Sequence, residues 1–306
     1  MLSICGGCLY PVRVSGFYQL VEELCWLSGV KNTKTIRSKK MYGNIRMVFL
    51  VAYKEKLNVS YRRFVQICDE NNIQHMLCIK RIPHFSTLQK FVQRTPKILF
   101  EQLVQACRIL LNLKNVEASI DGTGFSNTNP SHYYQKRIDG KEVKNYTKTV
   151  FLSDINTKLI LGAQTFSDHR NETTVFKPMV KQLIGCLKTM LADKGYDSMS
   201  NRKFCWANNI EVHIPFRKFS LEQCKYGLKD KYSAKRRRAL KIFNKTLYNQ
   251  RALAETVNSA IKQTLGGFVR ARKASNQQKT VTIKALAYNI EHIGRTIKIW
   301  IFIQIQ

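Results

Sequence analysis

Four polar residues in the C-terminal half of the chain, Tyr248, Arg251, Glu255 and Lys262, have types and spacing suited to phosphate chemistry. No Gly or Pro occurs from Phe243 to Leu265, so the sequence predicts one helix there. At about 100° per residue, the four side chains fall within an arc of roughly 60°. One face would then present a carboxylate among two cations and a phenol. The alternative is a solvated helix face with an ordinary charge pair.

The opposite side of this predicted helix is apolar and is expected to pack into a core. Gly266-Gly267 is expected to end the helix. The apolar residues are Phe243, Leu247, Ala254, Val257, Ile261 and Leu265.

Two further carboxylates come at the ends of predicted strands. VEASIDGTGF carries Asp121 into a Gly-rich turn, and the short strand TMLAD ends at Asp193. Between and after them the sequence predicts a hairpin, two helices and a last strand, which is the order of an α/β fold with a mixed sheet. The segments are YTKTVFLSDI and KLILGAQTF for the hairpin, ETTVFKPMVKQLIGCL and SNRKFCWANN for the helices, and VHIPF for the strand.

Adjacent central strands would bring Asp121 and Asp193 to one edge of the sheet, where a helix packed across it can present Glu255. Three converging carboxylates repel one another unless cations neutralise them. Hard oxygen ligands of this kind suit Mg²⁺ or Mn²⁺. A pair of such ions supports the displacement at a phosphodiester.

The charge of the chain agrees with a phosphodiester substrate. The formal net charge is +31, which points to a polyanionic partner, with nucleic acid first and an anionic membrane surface second. A basic run is predicted to bind DNA phosphates, and it comprises Lys235, Arg236, Arg237 and Arg238. The alternative is a run of charges exposed to solvent without a partner role. No stretch reaches the ~20 apolar residues of a membrane span. A basic RNA-associated structural protein would not explain the three carboxylates.

The nine scattered cysteines favour reduced thiols in a cytoplasmic protein over a disulfide framework. Cys5 and Cys8 resemble half of a zinc site, but no second half follows, which favours an incidental pair.

Residues 1–112 form a predicted, mostly helical N-terminal region. Within it, residues 60–95 contain two short helical patterns around a polar turn, with Arg, Lys and Gln on the second. This pattern is typical of a DNA-binding helix-turn-helix and also of a plain helical packing unit.

These motifs together resemble the prokaryotic insertion-sequence transposases of the DDE type. Tyr248, Arg251, Glu255 and Lys262 fill a Y-x2-R-x3-E-x6-K signature without a gap. SIDGTGF and ADKGYDS look like the first- and second-aspartate motifs of that family. The resemblance covers roughly residues 115–290.

The resemblance implies an RNase H-like catalytic domain over residues 113–306: a mixed α/β sheet flanked by helices, preceded by the helical DNA-binding region. It implies Mg²⁺-dependent cut-and-paste transposition, with Mn²⁺ as substitute. Asp121, Asp193 and Glu255 would be the catalytic, metal-binding triad, and Tyr248, Arg251 and Lys262 would contact the transposon-end DNA. The expected partners are double-stranded DNA, as terminal inverted repeats and as target, and a second copy of the chain on that DNA. The expected location is the cytoplasm of a prokaryotic cell, in association with the nucleoid.

Two alternatives remain open at this point. One is a nuclease of the same fold without strand transfer, and the other is a DNA-binding protein that has lost catalysis. Other carboxylates, Asp154, Asp168, Glu172 and Asp197, are interpreted as turn, cap or supporting residues. His169 is interpreted as a structural histidine, although it could orient a ligand or touch DNA.

Overall fold

A computed structural model of the protein describes residues 9–33, 41–127, 146–166, 172–216 and 242–305. Several predictions lie outside these ranges: the Cys5/Cys8 pair, Asp168, His169, and the basic run 235–238. The backbone of Glu172 is described, but its side chain is not.

Six helices precede the first strand in the described part of the chain. They are α1 (Leu9–Leu27), α2 (Asn44–Leu57), α3 (Tyr61–Glu70), α4 (Ile73–Met76), α5 (Phe85–Arg94) and α6 (Lys97–Leu110). The N-terminal region is therefore helical, as predicted. The helices α3 and α5, with the single turn of α4 between them, coincide with the predicted helix-turn-helix segment, and its DNA-binding role stays a prediction.

The rest of the described chain alternates strands and helices. The strands are β1 (Val116–Ser126), β2 (Tyr146–Asp154), β3 (Ile160–Phe166), β4 (Leu187–Ala192) and β5 (Glu211–His213). The helices are α7 (Phe176–Lys181), α8 (Met199–Ala207), α9 (Lys245–Asn249), α10 (Ala252–Leu265) and α11 (Ala274–Ile305). Short 3₁₀ turns cover Glu172–Val175 and Lys194–Tyr196.

The five strands form one mixed sheet in the order β3-β2-β1-β4-β5. The β2–β3 hairpin is antiparallel, whereas β4 pairs in parallel with both β1 and β5. This sheet, flanked by helices and preceded by a helical region, confirms the predicted RNase H-like fold.

Both faces of the central strands are covered. In β1 and β4 successive residues such as Ala118, Ser119 and Ile120, or Met190 and Leu191, are at most 1% exposed. Continuous burial of this kind is typical of parallel strands with helices on both sides. The strands that lead to Asp121 and Asp193 are therefore rigid supports.

The helix predicted over residues 243–265 is interrupted, and this prediction is corrected. Helix α9 begins after Asn244, whose side chain accepts hydrogen bonds from the N–H groups of Thr246 and Leu247. The backbone N–H groups of Gln250, Arg251, Leu253 and Ala254 bond three residues back instead of four. This tighter turn separates α9 from α10. Arg251 lies in the turn.

The predicted apolar face is buried over α10 only. Ala254, Val257, Ile261 and Leu265 are at most 3% exposed, whereas Phe243 and Leu247, before the turn, are half-buried. The helix ends before Gly266, as predicted, and Gly266 has a φ of +79° that favours glycine.

Two predicted elements are shorter in the structure. The helix expected through ETTVFKPMVKQLIGCL is limited to α7, because residues 182–186 form turns and Gly185 adopts a φ of +91°. The strand expected over 212–216 ends at His213. The C-terminal segment, which the sequence left open between strand and helix, belongs to the long helix α11.

The chain groups into two compact units. One comprises residues 1–112, 124–147 and 261–306, and the other comprises residues 113–123 and 148–260. The assignment of DNA binding to residues 1–112 and catalysis to residues 113–306 concerns function and stays a prediction. None of the helices in the described ranges contains a stretch long and apolar enough to cross a membrane.

Candidate active site

The two aspartates follow paired positions on neighbouring parallel strands. Ile120 of β1 is in register with Ala192 of β4. Asp121 is the next residue along β1, and Asp193 directly follows β4. Because parallel strands run in the same direction, both carboxylates are delivered to the same edge of the sheet.

The Asp121 carboxylate lies in a partly buried setting with one amide and one cation nearby. Its Oδ2 accepts a 2.7 Å hydrogen bond from Asn258 Nδ2 on α10. Its Oδ1 lies 3.8 Å from Arg251 Nη1. Burial raises the pKa of Asp121, and the nearby Glu255 carboxylate raises it further, against the opposing effects of Arg251, the Gly122 N–H and Asn258.

Arg251 joins Asp121 to Glu255. Arg251 Nη2 donates a 2.6 Å hydrogen bond to Glu255 Oε1, four residues later. Burial opposes the charge of the guanidinium, but Glu255, Tyr248 and Asp121 outweigh it and raise the pKa of Arg251. The Arg251 side chain is 20% exposed and that of Glu255 is 56% exposed, so the acidic face of α10 is open to a ligand.

Asp193 is held by the turn that follows β4. Gly195 N donates a 2.6 Å hydrogen bond to Asp193 Oδ1, which makes Asp193 the N-cap of the 3₁₀ turn. A Cβ at position 195 would lie 2.7 Å from that same oxygen. The glycine therefore allows the carboxylate to lie against the backbone of the turn.

Two residues of this site, Asn258 and Gly195, were not predicted from the sequence. Asn258 lies three residues after Glu255 on α10, and this spacing was a usable signal for a polar partner on the same side. Gly195 lies inside the quoted motif ADKGYDS, but its contact with Asp193 depends on how the turn folds.

The remaining predicted residues are more dispersed. The Tyr248 ring lies 5.4 Å from the Phe243 ring, centroid to centroid. Lys262 Nζ lies 5.8 Å from the ring centroid of Phe125, in the unit that also contains the N-terminal helices. The predicted DNA contacts of Tyr248, Arg251 and Lys262 stay predictions.

Two of the competing carboxylates have structural partners. Asp154 Oδ2 accepts hydrogen bonds from the N–H and the hydroxyl of Thr157 in the hairpin turn. Asp197 forms a 3.0 Å ion pair with the buried Arg202. These contacts agree with the turn and supporting roles expected from the sequence.

The donor chemistry of the site fits a divalent cation. Asp121 and Glu255 already share a positive group, Arg251, and Asp193 ends the adjacent strand. Carboxylate oxygens of this kind are the ligands that Mg²⁺ and Mn²⁺ prefer. In the described ranges, no three His, Cys, Asp or Glu side chains are grouped closely enough to hold one ion. The role of Asp121, Asp193 and Glu255 as metal ligands therefore stays a prediction.

Comparisons with known proteins identify what the chain is similar to. The family described as "Transposase DDE domain" matches residues 114–290, more than half of the chain. A similar solved structure is the cryo-EM structure of a piggyBac transposase synaptic complex with hairpin DNA. It is 11% identical, with 97% of this chain and 78% of that chain covered and a TM-score of 0.46. No curated protein matches in sequence.

Proposed function

This chain belongs to the Transposase DDE domain family, and from that premise we propose that it is a cut-and-paste DNA transposase. It cleaves DNA at the ends of a mobile element and joins the freed ends to target DNA. Its substrates are the terminal inverted repeats and the target duplex, in a prokaryotic cell.

One observation carries this proposal: Arg251 bridges carboxylates that are 134 positions apart in the sequence, Asp121 and Glu255, at the sheet edge where Asp193 also emerges. A binding module has no need for acidic groups that converge inside a chain of net charge +31. A phosphodiester enzyme needs them, because they concentrate negative charge where cations must be held.

Asp121, Asp193 and Glu255 are the proposed ligands of Mg²⁺, with Mn²⁺ as substitute. Bound there, such ions supply activation of the attacking oxygen and stabilisation of the leaving oxygen. Asn258 positions Asp121, and Gly195 positions Asp193, through the hydrogen bonds described above.

Arg251 has two successive partners in this proposal. Before the cations and DNA bind, its guanidinium offsets the repulsion between Asp121 and Glu255. Once other cations neutralise those carboxylates, Arg251 is free to pair with a DNA phosphate, a group it binds well through its forked N–H donors. Tyr248, Lys262 and the basic residues 235–238 supply further phosphate contacts.

The reaction consists of two displacements at phosphorus. In the first, the oxygen of a water molecule bonds to the phosphorus at the element end. The bond between that phosphorus and the 3′ oxygen breaks, and the 3′ oxygen takes a proton from the water and becomes a 3′ hydroxyl. In the second, that hydroxyl attacks a phosphorus of the target, and the target's own 3′ oxygen leaves with a proton. Pairing two element ends requires two active sites, so the proposed assembly is a homodimer on DNA.

The test is product analysis with the purified chain, Mg²⁺, a labelled element-end duplex and a circular target. Transposition predicts nicked ends early and target molecules covalently joined to the label later. A nuclease of the same fold would give the nicked ends without joined products. A binding protein would give a complex with neither product.

A further inference from the structure

A cationic cleft lies within the unit that contains the N-terminal helices. None of the candidate active-site residues lines it. It has a volume of about 610 Å³ and is lined by parts of α2, α3, α5 and the segment that leads into α11. Its lining includes five cationic residues and no Asp or Glu. The five are Lys54, Arg62, Arg270, Arg272 and Lys273.

The positive charge of the cleft is mostly unneutralised. Lys54 Nζ lies 2.6 Å from Glu55 Oε1 and is thereby paired. Arg270 donates to the neutral Asn58 Oδ1 at 3.0 Å, and the guanidinium of Arg62 lies 5.0 Å from the Phe85 ring centroid. Among the described side chains, Arg62, Arg270 and the exposed pair Arg272-Lys273 have no ion pair with a carboxylate.

Two further features favour an anion here. The 32-residue helix α11 begins at Ala274, so its positive N-terminal end adjoins Arg272 and Lys273. Asn276, in the first turn of α11, also lines the cleft, and its buried Oδ1 has no hydrogen-bond partner within the described structure. The Asn276 carboxamide also adds an NH₂ donor to the cleft lining beside this helix end.

One lining residue of the cleft, Lys54, belongs to a cluster of buried charges. Glu55 is 2% exposed and lies between Lys54 and Lys284, whose Nζ is 3.4 Å from Glu55 Oε2. Lys284 also donates to the carbonyl of Leu265, the last residue of α10. The buried ion pair therefore holds Lys54 in place, which lowers the entropic cost of binding a ligand beside it.

We propose that this cleft binds backbone phosphates of duplex DNA, as a contact additional to the candidate active site. The proposal rests on the proposed function for the identity of the polyanion. Arg62 and the segment 270–273 would contact phosphates without reading bases, which holds the DNA in register. A cleft of this volume exceeds one phosphate and is in the range of sites that hold whole ligands.

The experiment measures the affinity for a random-sequence duplex at several salt concentrations, in the absence of divalent cations. The test variant is Arg272→Ala/Lys273→Ala, and the control is Lys181→Ala/Lys203→Ala. The control also removes two positive charges from exposed positions, but these positions neither line the cleft nor belong to the residues predicted to contact DNA. Arg62→Gln, on α3, tests the cleft from its other side. Circular dichroism checks that each variant is folded.

The expected result is a weakening of roughly tenfold or more at moderate salt for the cleft variant, with the slope of log K against log salt reduced by about 2. Arg62→Gln should reduce the slope by about 1, and the control should stay near wild type. If the cleft variant and the control lose the same DNA affinity, the proposed cleft site is wrong. DNA binding would then depend only on the overall positive charge of the chain.

Tripolyphosphate distinguishes a DNA backbone from a free polyphosphate, since both offer the same chemistry. If the cleft variant loses tripolyphosphate binding but keeps full DNA affinity, the cleft takes a free polyphosphate and the DNA assignment is wrong. Full DNA affinity in the cleft variant also contradicts the DNA assignment when tripolyphosphate does not bind. Mn²⁺ binding at the acidic site should be unchanged in the cleft variant. The DNA affinity of the cleft variant tests the cleft, whereas cleavage and joined products test the proposed catalytic function. Either proposal can therefore be wrong without the other.

Discussion

Arg251 Nη2 lies 2.6 Å from Glu255 Oε1, and the same guanidinium reaches within 3.8 Å of Asp121. A resident cation thus lies between two carboxylates that are proposed to hold divalent ions. Metal binding and the release of Arg251 should therefore be coupled.

Replacement of Arg251 by Ala should strengthen Mn²⁺ binding in the absence of DNA by roughly tenfold, because a competing positive charge within 4 Å of the ligands is lost. Arg251→Lys keeps the charge and should bind Mn²⁺ like the wild type. Calorimetry or electron paramagnetic resonance at neutral pH gives both affinities. Weaker Mn²⁺ binding in Arg251→Ala than in Arg251→Lys would contradict the coupling.

Replacement of Asp121 by Asn should raise the free energy of unfolding at neutral pH. The pKa of Asp121 is raised in the folded state, mainly by burial, so the folded chain binds more protons than the unfolded chain near that pKa. Stability attributable to Asp121 is then present at low pH and is lost as pH rises through the folded-state pKa. An amide also offers a donor to Asn258 Oδ1, which is buried without a partner in the described structure.

Denaturant unfolding at neutral and acid pH measures this effect. The stabilisation by Asp121→Asn should shrink as pH falls and Asp121 becomes protonated in the wild type. If Asp121→Asn is less stable than the wild type at neutral pH, the ionised Asp121 carboxylate does not destabilise the folded state and the prediction is wrong.

Gly195→Ala should impair catalysis without unfolding the protein. The added Cβ would lie 2.7 Å from Asp193 Oδ1, and the carboxylate can rotate away at little cost in stability but at a loss of its aligned position. We expect cleavage to fall by roughly tenfold or more.

Gly185→Ala serves as the opposite control. A Cβ there meets nothing within 4 Å, but the φ of +91° strains any other residue. This variant should lose about 1–3 kcal/mol of stability and keep its cleavage rate. Thermal unfolding measures the stability of the two variants, and single-turnover cleavage measures their activity. Equal cleavage rates in both variants would contradict a role of Gly195 in positioning Asp193.

Glu55→Gln should destabilise the protein by about 3 kcal/mol or more, because it leaves Lys54 and Lys284 as neighbouring buried cations without a counter-ion. Burial opposes ionisation of Glu55, but the two lysines outweigh it and hold its pKa below the ordinary value. The stability it contributes is present above the unfolded-state pKa and is lost as pH falls through the lower folded-state value. Urea unfolding across that range checks both statements, and a loss of under about 0.5 kcal/mol at neutral pH would contradict them.

Much of the fold was accessible from the sequence because hydrophobic periodicity and turn residues act locally. The hairpin, the strand that carries Asp121, the strand that leads to Asp193 and the apolar face of α10 were all found this way. The Gly-rich turn expected directly after Asp121 was wrong, because β1 continues through Gly122 and Gly124 to Ser126. The break between α9 and α10 was not, since no Gly or Pro marks it and only the hydrogen-bond spacing reveals it.

The site was predictable as a set of residue types but not as a set of contacts. The α/β order brought Asp121 and Asp193 to one sheet edge, as the strand register now supports. The bridging position of Arg251 and the amide bond from Asn258 depend on how α10 rotates against the sheet, which no local pattern encodes.

The most direct test compares Mg²⁺-dependent cleavage of a labelled element-end duplex by the wild type, Glu255→Gln and Glu117→Gln. Glu117 lies on β1, where it is 3.9 Å from Lys188 at the surface, so its variant removes an acid remote from the chemistry. The proposed mechanism predicts that Glu255→Gln binds the duplex but cuts it roughly a thousandfold more slowly or not at all, while Glu117→Gln cuts like the wild type. Cleavage by Glu255→Gln at the wild-type rate, or binding without cleavage by the wild type with every divalent metal tried, would contradict the assignment of Glu255 to a catalytic triad.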